Sequence, residues 1–174
     1  MSMELLAEDH LSDFYNAEEH ARAKRQHLEG VVSVLAWIAI IDSFQHWIYT
    51  HPGHSRSQRQ QKWLEIYSRF DAPVDRSGLE VHYEAFWHRQ LHLFHMPFYY
   101  IEYGIAQLGA LQLWLKSKED PRAALNNYRN GLKLGGTKPL PQLFSAAGIA
   151  FDFSPKTIAP LMSAVQDELA SLPV

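Results

Sequence analysis

The chain has no cysteine in 174 residues. That excludes disulfide scaffolds, thiolate zinc sites, iron–sulfur clusters and cysteine nucleophiles. Charge is sparse at 20%, with 16 basic against 19 acidic side chains and a formal net charge of −3. Such a balance offers no electrostatic reason for a nucleic-acid partner. Strand-like alternation of useful length is missing, and so are internal repeats. Met1-Ser2-Met3-Glu4 lacks the basic start and apolar stretch of a signal peptide. The longest apolar run, Gly30 to Ile41, is too short to cross a bilayer, and Asp42 and His46 follow it. A soluble, cytoplasmic protein without a membrane partner is expected.

What is present points to a packed core. Hydrophobic residues make up 47% and aromatics 13%, which excludes a disordered tail. The length suits one domain, 1–174, able to bury about 70% of its unfolded surface. Ten histidines are unusual; protonating all of them would carry the net charge from −3 to +7.

Helix signals run along the whole chain. Asn16 with Glu19 is an N-cap and capping-box acid, and the pattern continues to His51, where Pro52-Gly53 stops it. The predicted helix near 17–51 is about 50 Å long at 1.5 Å per residue. Its first half is charged and its second half apolar nearly all round. Ser55 caps a second helix to Phe70, and Asp71 to Gly78, including Pro73, reads as a turn-rich connection. A third helical pattern runs from Leu79 towards His95, and Pro97 fits the first position of a helix reaching Lys118. Asp120-Pro121 opens another, ended by Gly135-Gly136. A short helix at 140–147 closes at Gly148, and Ser154-Pro155 opens the last. The expected fold is all-α, a bundle-like lobe of about eight helices.

Two groups of residues carry candidate chemistry. His88, His92 and His95 fall at spacings of four and three, on one face of a predicted helix. Helix-borne histidines four apart can ligate zinc, but only Glu84 lies near enough to add a carboxylate. No metal site is expected from them. The segment His95-Met96-Pro97-Phe98-Tyr99-Tyr100-Ile101-Glu102-Tyr103-Gly104 is the second group. Tyr99 and Tyr103, four apart, are expected on one helical face beside His95, with Tyr100 and Glu102 close by. A histidine and two phenols make good donors for a developing oxyanion. The same residues also read as an aromatic core stripe with hydroxyls at its rim. Gly104, Ala106, Gly109 and Ala110 are small residues suited to close helix packing. HExxH, Glu-x-x-His and G-x-S-x-G are all absent.

The run from His95 to Ala106 resembles the C-terminal signature of the oligoendopeptidase F family, relatives of thimet oligopeptidase. Leu132 to Gly136, Pro139 to Phe144, Ala146-Ala147-Gly148 and Phe151-Asp152-Phe153 resemble the family's closing segment, in the same order. Ser2 to Leu6 looks like the end of its helix carrying the third zinc ligand. The resemblance implies a zinc endopeptidase that hydrolyses short peptides inside a mostly helical channel. In that family HExxH and a glutamate hold zinc, while a C-terminal histidine and tyrosines contact the substrate carbonyl and the oxyanion. On this sequence it implies His95 as the histidine, with His92 as the alternative. Tyr99 and Tyr103 are then the phenols, and Tyr100 a further substrate contact. Because HExxH is absent, the expectation is a truncated or C-terminal part, inactive alone and holding no zinc of its own. Self-association, or association with a missing N-terminal part, is expected through an uncovered apolar face. The competing reading is a non-catalytic helical scaffold or peptide-binding module.

Overall fold

The computed structural model describes residues 1–72 and 74–173. Pro73, part of the predicted turn-rich connection, lies outside the described residues. Among the described residues there are helices and turns and no strand, so the molecule is all-α. Local capping chemistry sets many of the boundaries. Asn16 and Glu19 exchange reciprocal bonds, Asn16 N to Glu19 Oε2 at 3.1 Å and Glu19 N to Asn16 Oδ1 at 3.0 Å. They open α2, Ala17–Thr50, 34 residues long. The short α1, Ser2–Leu6, and a 3-10 turn, Glu8–Asp13, precede it. Ser55 and Gln58 form a second capping box at the start of α3, Arg56–Ser68. Asp120 accepts the Ala123 N–H at 2.9 Å and, with Pro121 in the first turn, starts α7, Pro121–Lys133. α8, Leu140–Ala146, ends near Gly148, whose φ of +71° favours glycine. α9, Pro155–Ser171, follows Ser154.

The predicted continuous helix from Leu79 to His95 does not form. It is divided into α4, Glu80–Glu84, a 3-10 turn, Phe86–Arg89, and a single turn α5, His92–His95. Two adjacent aromatics of the 3-10 turn both pack inward. Phe86 packs edge-on against Trp37 at 5.7 Å, and Trp87 packs against Phe44 at 5.3 Å. Gln90 then leaves helical geometry altogether, at φ −88° and ψ 86°. His88, His92 and His95 therefore do not share one helix face. The helix after Pro97 also starts later than predicted, as α6, Ile101–Glu119.

The described residues cluster into two compact units, 1–31 with 105–174, and 32–104. In the second unit, Ile40, Ile41 and Phe44 of α2 pack with Trp63 and Ile66 of α3, together with Trp87 and Leu93. Fully burying each such side chain contributes about 1.5–3 kcal/mol. By length and composition α2 is apolar enough to cross a membrane, since the helix extends past the Gly30–Ile41 run at both ends. Here Ile38, Ile41 and Phe44 from that stretch are core residues. Gly104 lets α6 approach α2, because a Cβ there would meet Ile38 at 3.3 Å.

In the first unit a smaller core joins Leu113, Ala147 and Ile149, flanked by Tyr128 and Phe144. A Cβ on Gly131 would lie 2.9 Å from the Ala147 Cβ, so α7 and α8 touch where only glycine fits. Lys24 bridges Glu168 at 2.5 Å and Glu8 at 3.6 Å, while Lys118 reaches the other oxygen of Glu168. The Arg25 guanidinium donates to the carbonyls of Leu169, Leu172 and Pro173, satisfying groups that α9 leaves open at its C-terminus.

Candidate functional site

Within residues 32–104 the polar aromatic residues gather around His92. Its imidazole stacks parallel to Tyr99 with centroids 6.1 Å apart, and meets Tyr100 and Tyr103 edge-on at 5.0 and 5.8 Å. The three phenol rings also touch one another, Tyr99 to Tyr103 at 5.7 Å and Tyr100 to Tyr103 at 5.3 Å. His92 Nε2 lies 3.5 Å from the Tyr103 hydroxyl, a long contact that leaves room for tightening around a ligand. Tyr99 is exposed, while His92, Tyr100 and Tyr103 are half-buried.

The backbone route to this cluster differs from a helix opened by Pro97. Pro97 and Phe98 form a turn in which Phe98 adopts φ +61°, a left-handed conformation unusual for a bulky side chain. Gln45, buried at 2% exposure in α2, accepts the Phe98 N–H at 2.9 Å and holds that turn. The Phe98 ring rests against His46 and Tyr49, both at 5.0 Å. The turn delivers Tyr99 from a non-helical segment and Tyr103 from the first turn of α6. Their rings meet despite not sharing a helix face. His95 is exposed, and among the described residues its ring has no hydrogen-bond partner, so the histidine among the phenols is His92.

Two glutamines and an indole that sequence reasoning missed support the cluster. Trp37 Nε1 donates to Gln90 Oε1 at 3.1 Å, and Gln90 Nε2 lies 2.6 Å from His92 Nδ1. The available signal was two amide side chains close to aromatic residues, Gln45 next to Phe44 and Gln90 shortly after Trp87. Burial pushes the Tyr100 phenol above its ordinary value, with the Trp37 indole working in the opposite direction, so this phenol stays protonated at neutral pH. Chemically, the cluster offers hydrogen-bond donors at its open side and an aromatic wall behind them.

Among the described residues no three His, Asp or Glu side chains are placed to hold a metal ion. His88 sits against Trp87 at 4.0 Å, in a separate turn from His92 and His95.

The all-α architecture is shared with solved peptidases. The chain is similar to an oligoendopeptidase F, with 30% identity over 89% of this chain and a TM-score of 0.78. It is also similar to PZ peptidase A, solved with an inhibitor, with 28% identity over 98% of this chain and a TM-score of 0.88. The chain spans 28% and 30% of the lengths of those two proteins. No curated protein matches it. The profile of peptidase family M3 matches residues 1–161. The chain belongs to peptidase family M3, a family of zinc metallopeptidases. The zinc of that family does not fit any group of side chains on the described residues.

Proposed function

We propose that this chain supplies the carbonyl- and oxyanion-contacting wall of a zinc-dependent oligoendopeptidase acting on short peptides. Tyr103 and Tyr99 are the contacting groups in this reading, with His92 and Tyr100 behind them and His95 outside. One observation carries it: His92 Nε2 and the Tyr103 hydroxyl lie 3.5 Å apart beside the exposed Tyr99 ring. Donors fixed before the reaction begins stabilise charge that develops on a carbonyl oxygen, without reorganisation at that moment. The residues do this by orientation alone; activation of water belongs to the HExxH segment, which residues 1–174 do not contain. The whole chain is read as the C-terminal part of the catalytic domain, inactive by itself. Association with a preceding part, or with a second copy, is part of the same proposal.

The test is an assay on short quenched-fluorescence peptides. Residues 1–174 alone are expected to leave them intact. A polypeptide joining this region to an HExxH segment is expected to cleave them in a zinc-dependent way. Absence of cleavage by the joined polypeptide, with zinc bound, would overturn the reading.

A further inference from the structure

A donor-only group settles an arrangement of protons that spacing and distance alone leave open. The Trp37 indole Nε1–H can donate and cannot accept. It lies 3.1 Å from one atom of the Gln90 side-chain amide, which must therefore be the carbonyl oxygen. The amide is planar, so its NH2 then faces the other way, 2.6 Å from His92 Nδ1. Gln90 is only 9% exposed, so water does not substitute readily for either partner. A ring nitrogen facing an NH2 group at that distance accepts; a proton there would set two donors against each other. We infer that Trp37 and Gln90 are positioning residues that fix His92 in the tautomer protonated at Nε2.

The consequence runs outward to Tyr103. With Nε2 carrying the proton, His92 donates and the Tyr103 oxygen, 3.5 Å away, accepts. The hydroxyl hydrogen of Tyr103 is left free for another acceptor. An oxygen acceptor such as a peptide carbonyl then meets a phenol O–H polarised by a four-member relay, Trp37 to Gln90 to His92 to Tyr103. In the opposite tautomer Nε2 would take the Tyr103 proton, and the phenol would have none to offer. The surroundings of the ring are the phenols of Tyr99, Tyr100 and Tyr103. The nearby cation, Arg89, stands over the Trp37 and Phe86 rings at 5.5 and 4.5 Å. The catalytic use of the relay rests on the function proposed above; the tautomer does not.

The experiment is two-bond proton–nitrogen correlation NMR on residues 1–174 labelled with 15N-histidine, at a pH where the imidazoles are neutral. His92→Asn identifies the His92 signals by their loss. The wild-type protein is expected to show a protonated Nε2 and a bare Nδ1 at His92. Gln90→Glu exchanges the donor for an acceptor and is expected to move the proton to Nδ1. Gln90→Met removes the donor, and Trp37→Phe lets the amide turn; both are expected to give a mixture of tautomers. A wild-type Nδ1–H signal, or a bare Nδ1 persisting in Gln90→Glu, would overturn the inference. So would an unmixed Nε2–H tautomer in Gln90→Met. The wild-type spectrum stands even if a variant misfolds. A negative peptide assay with the expected tautomer pattern refutes the catalytic reading alone, and an active enzyme with the opposite pattern refutes the relay alone.

Discussion

Gln45 Oε1 accepts the backbone N–H of Phe98 at 2.9 Å, across 53 positions of sequence, and pins a residue whose φ is +61°. The buried amide of Gln45 leaves its Nε2 without a partner among the described residues. Gln45→Met therefore removes one satisfied bond and one orphaned donor together, so global stability should change little. The turn itself should loosen. Amide exchange at Phe98 is expected to accelerate about fivefold, corresponding to loss of one hydrogen bond of about 1 kcal/mol. Unchanged exchange at Phe98 would show that Gln45 does not hold the turn.

Two glycines in helices should respond oppositely to alanine. Nothing lies within 4 Å of a Cβ built on Gly30 in α2, so Gly30→Ala should stabilise by about 0.5–1 kcal/mol through helix propensity. A Cβ on Gly131 meets Ala147 Cβ at 2.9 Å and the Leu143 carbonyl at 3.3 Å. Gly131→Ala should instead destabilise by about 1–3 kcal/mol through overpacking. Chemical denaturation of the two variants measures the contrast, and a stabilised Gly131→Ala would mean that α7 and α8 can move apart freely.

The Lys24–Glu168 pair predicts the shape of the pH–stability curve. Burial pushes Glu168 up, but the ammonium groups of Lys118 and Lys24 outweigh it and hold the carboxyl below its ordinary value. Its contribution is therefore present at neutral pH and lost as pH falls through the depressed value, below 4.5. Burial pushes Lys24 down, yet Glu168 and Glu8 raise it overall, so its contribution fades only above pH 10.5. Glu168→Gln should cost about 1–3 kcal/mol at pH 7, as expected for a partly buried pair. Urea titrations of the wild type and the variant should converge in strong acid; a constant gap down to pH 2 would contradict the assignment.

Elements governed by neighbours in sequence were legible. Asn16 with Glu19, Ser55 with Gln58, and Asp120 before Pro121 announce their helices through bonds spanning three residues. The division of 79–95 was not legible, because His88, His92 and His95 carry helical spacing while Phe86 and Trp87 answer to Trp37 and Phe44 far back in the chain. The candidate site was legible as a set of residue types near 92–103. Its geometry depended on Gln45 and Trp37, whose partners lie 53 residues away. Choosing between His92 and His95 required that geometry, since both stand close to the tyrosines in sequence.

The central claim is that Tyr103 acts on the reacting carbonyl and is more than a packing residue. It is tested most directly by kcat and KM for Tyr103→Phe in a polypeptide joining this region to an HExxH segment, with the melting temperature measured alongside. The account predicts that kcat falls by about 10²–10³, as for loss of one oxyanion donor, with KM and melting temperature nearly unchanged. A lowered melting temperature with kcat intact would contradict it, and would make the phenol part of the core.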